Sequence, residues 1–339
     1  MNHAARTALF AFAALALVLT QACGSSSSST GGSNDAGASE PMTDAAPSGP
    51  STDATTPPPS SDAGGSTGND ASAPPPGTDA GPSGDGSAAT WWHPAKNTTF
   101  FWDLQSAPPN NTQNVGAYDI DGWNNTAVEV SALHALGLKV VCYMDAGTYE
   151  PGRPDSSSFP ASLRGNAVQG WPGEYWLDVR PSGPNYATLQ SIMLARFKEC
   201  QSKGFDAVEP DNIDSYTNTP GFSTSPADQI AYNEWIASTV HGLGMAVFQK
   251  NDLDQISTLL PYFDGILDEE CNHNSECDTL TPYVTAGKPA WNAEYTEDGE
   301  TTAMFCSADG NLGIVGALFG MNLDGTLFQP CPDDVGKIN

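Results

Sequence analysis

The sequence is poor in positive charge. Its 339 residues hold 12 Lys and Arg against 40 Asp and Glu, a formal net charge of −28 at pH 7. Such an excess argues against nucleic acid and anionic lipid surfaces as partners, because binding either one takes basic side chains. Histidine is scarcer still: the five stand at positions 3, 93, 134, 241 and 273. His134 and His241 fall in helical stretches and His93 precedes the first strand-like run, so three histidines cannot gather at one mouth as a zinc hydrolase needs. An acid-only Mg or Ca site is the metal reading left open, and neither metal nor cofactor is expected. There is no G-x-G-x-x-G or P-loop, no G-x-S-x-G elbow and no C-x-x-C pair, which leaves nucleotide binding, serine hydrolysis and a cysteine zinc site without support.

A second absence divides the chain. Residues 24–90 contain no aromatic residue, no Lys and no Arg, only Ser, Gly, Pro, Thr, Ala and Asp in bulk. Such a stretch has nothing to bury and reads as a disordered tether. Asp-Ala pairs recur through it from Asp35 to Asp79 at a spacing of nine, once eight. Before it, residues 1–23 read as an export signal: Arg6, the apolar run "ALFAFAALALVL", and "TQAC" ending at Cys23. A lipidated Cys23 is expected, with plain secretion as the alternative. The protein is then exported, either lipid-anchored to the bacterial outer membrane or cell surface, or secreted. Contact with a membrane is expected only through Cys23.

Residues 91–339 hold all eight Trp, with 32 acids against 11 Lys and Arg. This is the size of one large domain, expected to be a monomer. Its six Cys point to disulfides in an exported protein; Cys271–Cys277, Cys306–Cys331 and Cys142–Cys200 is the expected but unforced pairing.

Eight short buried runs follow in order: 99–105, 117–121, 138–147, 205–211, 245–251, 263–270, 288–295 and 313–322. Several are apolar throughout, as parallel strands covered on both faces are. Helical patterns lie between them at 125–137, 186–204, 225–244 and 252–263, the last two opening on a Ser and an Asp cap. The alternation predicts an α/β fold, a (β/α)8 TIM-type barrel irregular at its first unit, where "SAPPNNTQNVG" has no room for a helix. An open doubly wound sheet is the runner-up.

Polar residues collect at the carboxyl ends of these runs: Asp121, Asp145, Asp211, Lys250, Glu269 and Glu294. Carboxylates with aromatics (Trp102, Tyr143, Trp171, Trp176, Tyr216, Trp291, Tyr295) at a barrel mouth are the equipment of glycoside hydrolysis. Alternation along a strand puts Glu209 and Asp211 on one side and Asp206, Val208 and Pro210 on the other; likewise Glu269 opposes Asp268 and Glu270.

The blocks "VVCYMDAGTYEPGRPD", "GWPGEYWLDVR", "KGFDAVEPDNIDSYTN", "QKN", "DEECNHNSEC" and "GKPAWNAEYT", in that order across 99–296, strongly resemble glycoside hydrolase family 114. The resemblance implies a barrel and an endo-α-1,4-polygalactosaminidase acting on a cationic, partly deacetylated galactosamine polymer. It implies two catalytic carboxylates, Asp211 and Glu269, although Asp268 stands where the family usually has Asn. Retaining hydrolysis is expected, with Asp211 as nucleophile held ionised by Lys250, and Glu269 as acid/base with a raised pKa. Asp121, Tyr143, Asp145, Glu209, Asn212, Lys250, Asn251, Glu294, Trp102 and Trp171 are the expected substrate-binding residues, the acids facing sugar ammonium groups. Glu150 is expected to pair with Arg153 on the surface. The competing readings are a non-catalytic surface sugar-binding lipoprotein and a glycosidase for another α-linked sugar.

Overall fold

The computed structural model describes residues 90–332. The expected signal, Cys23 and the tether up to residue 89 lie outside the described residues. Eight strands form where the buried runs predict them: β1 (Phe100–Asp103), β2 (Ala117–Asp121), β3 (Lys139–Asp145), then β7 (Ala207–Asp211), β8 (Ala246–Lys250), β9 (Gly265–Glu269), β10 (Ala290–Tyr295) and β11 (Val315–Phe319). All pair in parallel in that order, and β12 (Phe328–Pro330) adds an antiparallel edge on β11. The result is a nearly closed (β/α)8-type barrel. Between β1 and β11 the seam is filled by the Phe319 ring against Phe100 and Trp102, centroids 5.6 and 6.3 Å apart. Above it, the amides of Leu104 and Gln105 donate to the Leu323 carbonyl at 2.8 and 3.1 Å.

The helices form where capping chemistry favours them. α1 (Ala127–Ala135) and α3 (Pro226–Gly242) each open on a capping box, Thr126 with Glu129 and Ser225 with Asp228. α2 (Tyr186–Lys203) closes on Gly204, whose φ of 87° suits only a residue without Cβ strain. The helix expected over 252–263 is a correction. Asp252 does not cap; it sits at φ 55° and its carboxylate accepts from Tyr216 Oη at 2.9 Å and Asn233 Nδ2 at 3.1 Å. What remains is a 3-10 turn (Leu253–Gln255) running into the single turn α4 (Ile256–Leu259), with Pro261 soon after. α5 (Thr281–Thr285) and α6 (Thr302–Leu312) complete the set, and no helix joins β1 to β2, as expected. Among the described residues no helix is long and apolar enough to cross a membrane.

One feature has no strong sequence signal. Between β3 and α2 the chain builds a three-stranded antiparallel sheet, β4 (Thr148–Tyr149), β6 (Tyr175–Leu177) and β5 (Arg164–Ala167) in spatial order. It starts three residues past Asp145 and so stands at the carboxyl mouth of the barrel.

The barrel interior is packed with rings. Trp291 stacks between Phe100 (4.8 Å) and Phe248 (4.3 Å), and its Nε1 donates to the Thr98 carbonyl at 2.7 Å. It is therefore core, and burial of a ring of this size dominates local stability. The three disulfides pair as expected: Cys142–Cys200 ties β3 to α2, Cys271–Cys277 closes the loop after β9, and Cys306–Cys331 holds α6 to the segment after β12. The grouping of Cys271 and Cys277 with Glu294 therefore offers no thiolate to a metal.

Candidate active site

Strand alternation delivers three charged side chains to the same place. Asp211, Lys250 and Glu269 end β7, β8 and β9, which are neighbours in the sheet. Lys250 is only 2% exposed, while Asp211 and Glu269 keep 19% and 29% of their side-chain surface open to the mouth. The Lys250 ammonium donates to Asp211 Oδ1 at 3.3 Å and to Glu269 Oε2 in a shorter contact. The two oxygens therefore lie no more than about 6 Å apart, since both are within hydrogen-bond reach of one nitrogen.

Each acid has further donors. Asp211 accepts from Tyr143 Oη at 3.0 Å and from the Asn212 amide nitrogen at 2.8 Å. Glu269 accepts from Tyr295 Oη at Oε1 and from Asn251 Nδ2 at 3.3 Å, while Asn251 Oδ1 takes the Glu269 amide at 3.0 Å. The residue after each strand end turns the chain sharply: Asn212, Asn251 and Glu270 have φ of 61°, 48° and 65°. Asn tolerates this region and Glu does not, so Glu270 holds strain beside Glu269. Asn212 Nδ2 also bridges Asp211 Oδ2 and Asp145 Oδ2, both at 3.3 Å.

The electrostatics correct one expectation. Burial pushes the Glu269 carboxyl up, but the Lys250 ammonium and the donors Tyr295 and Asn251 outweigh it and leave its pKa below the ordinary value. The unliganded site thus holds Glu269 as an anion. Lys250 is driven well above its usual range, because Asp211, Glu269 and Glu209 outweigh its burial.

Several other expected site residues are taken out of the cleft by their partners. Asp121 accepts from the amides of Trp123 and Asn124 at 2.9 and 2.7 Å and from Arg153 at 2.8 Å. Asp145 is saturated by the Gly147 and Thr148 amides, the Thr148 hydroxyl and Asn212. Glu294 sits on the outward side of β10 with Asn292 and receives the amides of Asn272 and His273 at 2.7 and 3.4 Å. Those three acids organise loops. Glu209 shares the inward face with Asp211 but is fully buried, so the choice between them falls to Asp211 as the reachable one. Trp102 is buried too; its ring lies 5.5 Å from the Lys250 ammonium and floors the site. Of the rings, Trp171 is 54% exposed in the turn between β5 and β6, whereas Trp176 and Trp291 are core. Tyr216 is spent on Asp252. Asp268 is buried on the far side of β9 from Glu269, as alternation predicts.

Three further acids lie near the mouth, and of these Glu174 is not singled out by the sequence. Glu150 pairs with Arg153, as expected, but not on the surface: it is nearly buried, Arg153 links it to Asp121, and its Oε2 receives no donor. Glu174, just before β6, is raised to about 7 by burial and then by the charges of Glu150 and Asp211. Half-buried Asp214 is raised to about 6 by burial, with Lys250 opposing and Asp211 adding. Glu174 from the insertion and Asp214 from the loop after β7 thus add carboxyls near Asp211.

The model of glycoside-hydrolase family GH114 matches residues 82–335. Among solved structures, Ega3 of Aspergillus fumigatus, in complex with galactosamine, is similar at 31% identity and a TM-score of 0.67, over 73% of this chain and 100% of that one. The glycoside hydrolase domain of PelA from Pseudomonas aeruginosa is similar in fold, at 14% identity and a TM-score of 0.51, over 67% of this chain and 95% of that one. No match is found among curated proteins.

Proposed function

The chain belongs to glycoside hydrolase family GH114 and is a glycoside hydrolase of polysaccharide, and we propose that it cuts an α-1,4-linked galactosamine polymer internally with Asp211 and Glu269. The observation that carries this reading is the single Lys250 ammonium held between two reachable carboxylates at the barrel mouth. Their closeness supports retention, which needs carboxyl groups about 5–5.5 Å apart, over inversion, which needs about 6.5–9.5 Å. Asp211 then attacks the anomeric carbon, oriented by its hydrogen bonds from Lys250 and Tyr143. Glu269 protonates the leaving oxygen and afterwards deprotonates water. Because Lys250 holds Glu269 ionised in the free site, Glu269 takes up its proton as the sugar enters and the ammonium turns to Asp211 alone. An acidic optimum follows.

The substrate class rests on charge. Glu174 and Asp214 stand near Asp211, and the acids there outnumber Lys250 and Arg153, which suits sugars carrying ammonium groups. Ega3, the relative of highest identity reported above, was solved with galactosamine. The exposed ring of Trp171 offers a face for a sugar further along the polymer. Export supports the same reading: a lipidated Cys23 and the tether would hold the barrel outside the cell, where its three disulfides are stable. The test compares fully N-acetylated with deacetylated polymer. Faster cleavage of the deacetylated form is expected; equal rates would remove ammonium recognition.

A further inference from the structure

Beneath the catalytic rim lies a pair of acids that the reaction does not use. Asp119 on β2 and Glu209 on β7 flank β3 and are both fully buried. None of their four carboxylate oxygens receives a donor from the rest of the protein. They lie within hydrogen-bond reach of each other. Two carboxylates are both acceptors, so this contact becomes a hydrogen bond only when one of them carries a proton.

The charge around them makes the same demand. The groups facing the pair are Tyr143 from β3, Asp211 from β7, Lys250 from β8 and Glu269 from β9. Lys250 is the one cation in that set, and its hydrogen bonds go to Asp211 and Glu269. Two more bare anions below it would each be desolvated with no partner of their own. They would also draw the ammonium down, away from the acids it serves. Burial pushes both carboxyls well up from their usual range, and for Asp119 the contact with Glu209 works the other way.

We propose that Glu209 carries a proton, donates it to Asp119, and so keeps Lys250 at the rim between Asp211 and Glu269. Glu209 is in this view a positioning residue: the proton stands in for a second cation that the barrel lacks. The proposal rests on the reading of Asp211 and Glu269 as the reacting acids for its effect on rate, but not for the existence of the proton.

Two measurements test it on the full-length protein. Infrared difference spectra of the wild type at neutral pH should show a protonated-carboxyl band that Glu209→Gln removes. This needs no activity, so it stands even if the galactosamine reading fails. On the deacetylated polymer, Glu209→Ala should lower kcat at least tenfold with KM little changed. Glu209→Gln, whose amide can donate to Asp119 as the protonated acid does, should recover most of that loss, whereas Glu209→Met should not. A wild type without the band, Gln as damaging as Ala, or Met rescuing as well as Gln would each overturn the proposal. The last would mean that Glu209 merely fills space.

Discussion

Replacing Lys250 with Met tests the electrostatic centre of the site. The side chain is fully enclosed, so an unbranched apolar substitute of similar length keeps the packing and removes only the charge. Unit charges about 4 Å apart attract by about 4 kcal/mol at an effective dielectric of about 20. Solvent at the open mouth weakens this attraction, but what remains still favours the ionised form. Without Lys250 the burial of Glu269 is opposed only by Tyr295 and Asn251, so its pKa should move from below the ordinary carboxylate range to above it. The sign is definite: the ammonium keeps Glu269 ionised, and its loss lets the acid hold its proton to higher pH. The alkaline limb of kcat/KM should move to higher pH. The maximum rate should still fall, by about 10²-fold, because Asp211 loses the hydrogen-bonded cation that positions it. Release of reducing ends across about pH 3–9 reads both effects. A variant whose alkaline limb overlays that of the wild type would refute the argument.

Other substitutions probe its supports. Asn212→Gly keeps the left-handed backbone but deletes the amide that bridges Asp145 and Asp211, so kcat should fall about tenfold with the melting temperature nearly unchanged; an unaffected kcat would remove Asn212 from the site. Stability should decline with rising pH. Glu174, Asp214, Asp252 and Glu270 are raised to about 7, 6, 8 and 8, so their contribution is full below the unfolded carboxyl range and is lost as pH climbs through those values. The melting temperature should therefore be several degrees higher near pH 5 than near pH 8.5, and a flat or rising curve would contradict it. The Cys142–Cys200 bridge spans 58 residues of sequence. Removing it with Cys142→Ser and Cys200→Ser together should cost about 4 kcal/mol, read as a fall of roughly 10 °C in the melting point; a fall under about 2 °C would show the bridge to be incidental.

The parts of this protein that sequence makes legible are those governed by neighbours along the chain. Apolar runs mark all eight barrel strands, and caps such as Thr126 and Ser225 mark helix starts. Alternation separates Asp211 from Pro210 and Glu269 from Asp268. What sequence hides is set by partners from elsewhere. Asp121 looks available until Arg153, 32 positions away, takes its Oδ2. Asp252 looks like a cap until Tyr216 and Asn233 claim it. Strands as short as Thr148–Tyr149 carry no periodicity, so the insertion sheet and its Glu174 give no signal. The lowered pKa of Glu269 depends on Lys250 reaching both acids at once, while sequence reasoning assigned it to Asp211 alone.

The central claim is that Asp211 and Glu269 together cleave a galactosamine polymer. The direct measurement is a digest of purified deacetylated polymer by the wild type, Asp211→Ala and Glu269→Gln, with product mass by mass spectrometry and the first-formed anomer by NMR. The account predicts oligosaccharides of intermediate length from the wild type, released first as the α-anomer, and rates at least 10³-fold lower from each variant although both stay folded. Full activity in either variant, or a wild type that leaves the polymer intact, would contradict it.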